Sequence, residues 1–176
     1  MALISTLNTD RLVLQRVAPE HAEAVAENIC DPRIYRNVSR IPSGQTLAQT
    51  HDWINSQANG AVADTDHTFA IMSDNHLTGM VGAHRQHTWE PFEIGYWLSP
   101  ASWNQGFATE AGDEVIKWLE SRGQFGAVSG YFEDNPASGR VLSKLDFMKA
   151  GRDVQFCLGR GEFVAHLHMA RISETA

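Results

Sequence analysis

Trp103-Asn104-Gln105-Gly106-Phe107-Ala108-Thr109 places a glycine and a small residue between a strand-like run and a helix-like run, a spacing suited to holding an anion. The amides of a first helical turn have no partner inside the helix, and they lie at the positive end of its dipole. Gly106 lets the main chain approach a ligand and Ala108 adds little bulk. The amides of Asn104, Gln105, Gly106, Phe107, Ala108 and Thr109 could therefore cradle a pyrophosphate, with the Thr109 hydroxyl as an added donor. The competing reading is an ordinary helix start in which Ser102 and Gln105 form a capping box. No Walker lysine follows Gly106, which weighs against a generic nucleotide-phosphate binder.

Other side chains could do proton chemistry. Glu93 is the only acid in the apolar run Phe92 to Leu98, where burial would raise its pKa towards that of a useful general base. A structural salt bridge or a hydrogen bond to the neighbouring strand competes with that role, and His84 or water could serve instead. Asn135 suits a helix N-cap ahead of Pro136 and could also bond a ligand, while Ser138 offers a hydroxyl one turn later. Packing or helix bonding explains Ser138 equally well. The pairs His84/His87 and His166/His168 resemble metal ligands, but no third ligand motif accompanies either, so no metal is expected. Cys30 and Cys157 are far apart and outside any Cys-x-x-Cys spacing, which argues against a disulfide framework and fits a reducing cytoplasm.

These groups need elements to hold them. Arg11 to Val17 reads as a first strand, and Ala22, Val25, Ala26 and Ile29 recur at helical spacing before Asp31-Pro32. Ile34 to Gly44 is irregular and should border a substrate cleft. Thr46 to Gln49 matches a capping box before a helix reaching about Asn59, with Leu47, Ile54 and Ala58 inward. His67 to Met72 and Leu77 to His84 form a hairpin leading to the strand Phe92 to Leu98, which Ser99-Pro100 ends. A helix follows from Ala108 to Leu119, then a strand from Gly126 to Tyr131, a helix through Val141, Leu142 and Leu145, and a closing hairpin of Phe147 to Leu158 and Glu162 to Met169.

Composition bounds the partners. At 176 residues, with 43% hydrophobic and 20% charged residues, the chain is expected to form a single domain, residues 1–176, with a core that needs no staple. A net charge of −7 opposes binding to nucleic acid; it could attract a cationic substrate, although solubility alone explains it better. No apolar run reaches membrane-spanning length and the N-terminus lacks a signal pattern, so a cytoplasmic protein is expected.

The stretch around Gly106 resembles the coenzyme motif of the GNAT superfamily of N-acetyltransferases, Gln/Arg-x-x-Gly-x-Gly/Ala, here Trp103-x-x-Gly106-x-Ala108. With Glu93-Ile-Gly-Tyr-Trp-Leu98 before it and Thr9-Asp-Arg-Leu-Val-Leu14 upstream, it resembles the branch of ribosomal-protein alanine and serine N-terminal acetyltransferases. Asn135-Pro-Ala-Ser138-Gly-Arg140-Val-Leu-Ser-Lys-Leu resembles the family's second motif. The resemblance covers Thr9 to Met169. It implies an α/β (α+β) fold with a mixed, mostly antiparallel twisted sheet of about seven strands and about four helices. It also implies direct transfer of acetyl from acetyl-CoA to a primary amine, a protein N-terminus or a small amine. The backbone of Trp97 and Leu98 and the Asn135 side chain would meet the pantetheine arm, with Glu93 as base and Ser138 assisting the thiolate. Leu142 replaces the tyrosine that many members use as acid, leaving that role to Ser138, Tyr131 or water; a catalytically silent acyl-CoA-binding or regulatory module is the alternative. Asp146 stands where a glycine is usual, so a less regular helix exit is expected. The closing hairpin could supply a homodimer interface.

Overall fold

The computed structural model describes residues 4–173 and places eight strands in one sheet. In chain order they are β1 (Thr6–Asn8), β2 (Val13–Arg16), β3 (Asp66–Ser73), β4 (His76–His84), β5 (Phe92–Leu98), β6 (Gly126–Phe132), β7 (Met148–Cys157) and β8 (Glu162–Ile172). The helices are α1 (Ala22–Ile29), α2 (Pro32–Tyr35), α3 (Leu47–Val62), α4 (Phe107–Glu120) and α5 (Pro136–Lys144). The mixed α/β fold is the expected one. Two short elements lift the counts above those expected among the described residues: β1 pairs Thr6 with Gln15, and α2 is a single turn begun by Pro32 and capped by Asp31, whose side chain accepts from the Arg33 amide.

Strand order is β1-β2-β3-β4-β5-β6-β8-β7, and every neighbouring pair is antiparallel except β5 with β6. Alternation along each strand separates two cores. Phe92, Ile94 and Leu98 pack with Val115, Leu119 and Leu142 on the α4/α5 side, whereas Trp97 joins Val25, Ile29, Ile54 and Met80 on the α1/α3 side. In α3 the Thr46–Gln49 capping box forms as expected, but Thr50, Ile54 and Ala61 turn inward while Leu47 and Ala58 are exposed. The helix carries too few apolar residues for periodicity alone to set its buried face.

Two local features position the site. Parallel β5 and β6 pair only at Phe92↔Ala127 and Glu93↔Val128, and the Ser129 hydroxyl donates to the Ile94 carbonyl at 2.7 Å just beyond. From there the two strands part. At the end of α5, Asp146 takes φ +63° and the Phe147 amide reaches back to the Leu142 carbonyl at 3.0 Å. The exit is therefore regular, correcting the expectation, because aspartate tolerates the left-handed region that glycine usually fills.

Candidate active site

A cleft of about 400 Å³ lies between α2, the end of β5, the turn into α4 and α5. At the turn, Gly106 is the N-cap of α4 with φ +83°, and no side chain caps the helix. Ser102 instead lies in a separate 3-10 turn with its hydroxyl on that of Ser99, so the Ser102–Gln105 capping box does not form. The first bond of α4 is Glu110 N–H to the Gly106 carbonyl, which leaves the amides of Phe107, Ala108 and Thr109 at the open end of the dipole. Gly106 takes this left-handed conformation without strain, whereas most residues bearing a Cβ would be strained by roughly 1–2 kcal/mol, asparagine and aspartate least.

The turn is braced from behind. The Arg11 guanidinium donates to the Gln105 carbonyl at 3.0 Å, pairs with Glu110 at 2.5 Å and lies 4.9 Å from the Phe107 ring centroid. Thr9 donates to Glu110 at 2.6 Å. Burial opposes ionisation of Glu110, but the hydrogen bonds from Thr9 and Arg11 hold its carboxyl below the usual range. Trp103, in the first motif position, donates its indole N–H to the Leu98 carbonyl at 2.9 Å, tying the turn to the end of β5.

Of the residues read from the sequence as coenzyme ligands, Trp97, Leu98, Asn104, Gly106, Phe107, Ala108, Thr109 and Asn135 all line this cleft, as does Ser138. Gln105 does not: its side chain donates to the Ala101 carbonyl at 3.1 Å and its own carbonyl is taken by Arg11. Asn135 caps α5 by accepting from the Ser138 amide. Three cations missed by the sequence reading, Arg33, Arg140 and Lys144, also line the cleft, and only Arg33 has an ion-pair partner among the described residues, Asp31. Uncapped amides, a left-handed glycine and basic side chains in one cleft fit a diphosphate-bearing ligand.

Tyr96 was also missed. Its hydroxyl lies 2.8 Å from Ser138 Oγ and 3.0 Å from the Ser138 carbonyl, which can only accept. Burial raises its pKa well above the ordinary value, against the Ser138 hydrogen bond. The phenol therefore stays protonated and holds the Ser138 hydroxyl in place. Only the alternation of β5 could have signalled this, since it turns Tyr96 to the α5 side. Leu142, in the place many members give a tyrosine, is fully buried in the core. Tyr131 packs beneath α5, where a Cβ on Gly139 would stand 2.5 Å from its ring, and it does not line the cleft.

Glu93 lies outside this cleft, on the opposite face. His84 Nε2 is 2.9 Å from its carboxylate and Arg40 Nη2 is 3.4 Å away. The expected rise in its pKa is overturned. The His84 hydrogen bond, with the charges of His84 and Arg40, outweighs burial and holds the carboxyl below its usual range. Arg40 comes from the segment expected to border the substrate cleft, and Ile34, Asn37 and Val38 of that segment line the first cleft. The β7–β8 turn fastens it, with Arg160 Nε donating to the Arg36 carbonyl at 2.6 Å and Leu158 N–H to that of Ser39 at 3.0 Å.

Glu93 opens onto a second cavity of about 470 Å³ with Ser129, Asp153, His166 and His168 on its walls. Burial and the neighbouring His168 lower the pKa of His166, favouring the neutral ring. Both cysteines are free, Cys30 exposed and Cys157 buried. Among the described residues no helix is long and apolar enough to cross a membrane.

Comparison with known proteins places this geometry. Residues 11–148 match the family described as Acetyltransferase (GNAT) domain. Uncharacterized N-acetyltransferase YoaA of Bacillus subtilis (strain 168) is 30% identical over 156 residues, 82% of this chain and 84% of that protein. A crystal structure of the microcin C7 self-immunity acetyltransferase MccE, in complex with acetyl-CoA and AMP, matches with a TM-score of 0.84 over 94% of each chain at 16% identity. RimL, a ribosomal L7/L12 alpha-N-protein acetyltransferase in complex with coenzyme A, matches with a TM-score of 0.83 over 95% of this chain and 97% of that one at 18% identity. At such identities the likeness is one of fold.

Proposed function

Since the chain belongs to the GNAT acetyltransferase family and is an N-acetyltransferase that uses acetyl-CoA, we propose that it acetylates an α-amine, such as a peptide N-terminus, by direct transfer. The observation carrying this reading is the uncapped start of α4 at a left-handed Gly106, in one cleft with the free edge of β5 and with Ser138. Acetyl-CoA supplies the thioester carbonyl that the amine attacks. The amides of Phe107, Ala108 and Thr109 bind the pyrophosphate, and Arg140 and Lys144 add charge. Ser138, oriented by Tyr96, hydrogen-bonds the departing thiolate, and the second proton of the attacking nitrogen turns that thiolate into the thiol. Asn135 and the backbone of Trp97 and Leu98 position the pantetheine arm.

Glu93 bears on the choice of amine. A carboxyl held below its usual range by His84 and Arg40 is a weak base, and its side chain is 42% exposed and outside the coenzyme cleft, so a proton it takes reaches it through water. Such a base suffices for an α-amine, whose pKa is about 8, much better than for a lysine ε-amine at about 10.4. RimL, named as acting on an α-amine of L7/L12, shares the fold, which supports the same class of acceptor here.

Thiol release from acetyl-CoA should be followed across a panel of peptides with free N-termini, N-terminally blocked peptides containing lysine, and small amines. Turnover is expected with free N-termini and not with the blocked lysine peptides. Preference for the lysine peptides would sink the α-amine assignment, and absence of acetyl-CoA binding in calorimetry would sink the whole reading.

A further inference from the structure

The part of the sheet left bare by α1 and α3 carries a second chemical cluster. β7 and β8 pair Asp153 directly with His166, and His168 lies two residues further along β8, so both rings project to one face. Asp153 Oδ2 is 2.9 Å from His168 Nε2, and Oδ1 is 3.8 Å from His166 Nδ1. One ligand atom from each of the three lies within 4.8 Å of the others. The two histidines lacked a third partner in the sequence because it comes from the neighbouring strand.

His166 provides an independent observation. Its side chain is 9% exposed, and Nδ1 is buried with no hydrogen-bond partner. A buried polar atom left unpaired is costly, a penalty that a ligand at Nδ1 would relieve. β6 leaves space for the ring, since a Cβ at Gly130 would stand 2.6 Å from His166 Nε2.

We propose that Asp153, His166 and His168 form a binding site for a divalent transition metal of the zinc type, with its remaining coordination position open to the cavity shared with Glu93. Two imidazoles and a carboxylate suit such an ion, at bond lengths of about 2.0–2.2 Å. A tetrahedral arrangement would draw the ligand atoms to about 3.3 Å apart. The needed adjustment falls on Asp153 and His168, whose side chains are 56% and 46% exposed and free to rotate, while buried His166 stays fixed. The ion takes part in no step of acetyl transfer; it occupies one wall of the cavity that Glu93 faces. The site stands on its own geometry and does not depend on the acceptor proposed above.

Cobalt(II) titration tests it with the full chain, free of any histidine tag and stripped with a chelator. Stoichiometric binding of one ion is expected, with the strong visible absorption of a four-coordinate site, and zinc should displace it. Asp153→Asn and His168→Ala, at exposed positions, should each weaken cobalt affinity at least about 10-fold. His166→Ala should abolish binding, and His76→Ala should leave it unchanged. If His166→Ala does not fold, the two exposed variants decide the question. Absence of cobalt absorption, or equal affinity in wild type and His168→Ala, would overturn the site.

Discussion

The two ends of β5 treat polar groups in opposite ways. At its start, Phe92 lies under the Arg85 guanidinium, 4.1 Å from the ring centroid, and Arg85, Arg122 and His67 all converge on the Asp64 carboxylate at 2.5, 2.5 and 2.8 Å. At its finish, the amides of α4 are uncapped and Arg140 and Lys144 have no ion-pair partner among the described residues. The first end is a closed knot that joins the start of β3, the end of β4 and the end of α4. The second is open. Charges that answer one another inside the protein hold it together, whereas donors left unanswered in a cleft await a ligand.

If that contrast is right, a substitution at one end should move stability and one at the other should move binding. The largest effect is expected for Asp64→Asn, which strands two arginines, one of them 3% exposed. A loss of about 3 kcal/mol in urea unfolding is expected, the low end for a broken buried pair because Asp64 is 33% exposed. Acetyl-CoA affinity of the folded protein should not change. Gly106→Val should do the reverse. By forcing a β-branched residue into the left-handed region at the helix start, it should weaken acetyl-CoA binding on the order of 100-fold in calorimetry. Unfolding should show only the strain, about 1–2 kcal/mol.

Ser138→Ala sharpens the open end further. Loss of the hydrogen-bond donor should lower kcat at least about 10-fold with little change in KM for acetyl-CoA, as expected if the hydroxyl acts only on the departing sulfur. An equal rise in KM would make Ser138 a binding group instead. The smallest effect is a pH dependence of the closed end. Burial, more than the opposing hydrogen bond to Asp64, lowers the pKa of His67, so the unfolded chain binds its proton more readily. The neutral ring thus contributes stability above the ordinary value of 6.5, and this stability should be lost as pH falls below 6.5 towards the folded value. Thermal unfolding in buffers across that range checks it; His67→Gln should flatten the slope. No such slope in the wild type would mean that Asp64 holds His67 charged.

The open end was legible in the sequence to an unusual degree because its geometry rests on the main chain. A glycine followed by a small residue between strand and helix, and an asparagine-proline pair at the next helix start, act within a few residues of themselves. Gln105 does not line the cleft, and its carbonyl is taken by Arg11 from 94 positions away. The closed end could not be read at all. Asp64 lies between α3 and β3, and its partners are spread from position 67 to position 122.

The sequence by itself determined the strand-turn-helix around Gly106, the cap at Asn135 and the alternation that assigns each β-residue to a face, since propensity, capping and period are local properties of the chain. Only the tertiary structure decided what those faces meet. Register sets His84 beside Glu93 and reverses the expected direction of its pKa. Strand order brings Asp153 to His166 and His168, and the packing of α5 on the sheet delivers Ser138 to Tyr96. Each of these pairings joins residues on different elements, so its energy depends on how the whole sheet closes and leaves no mark in any short stretch of sequence.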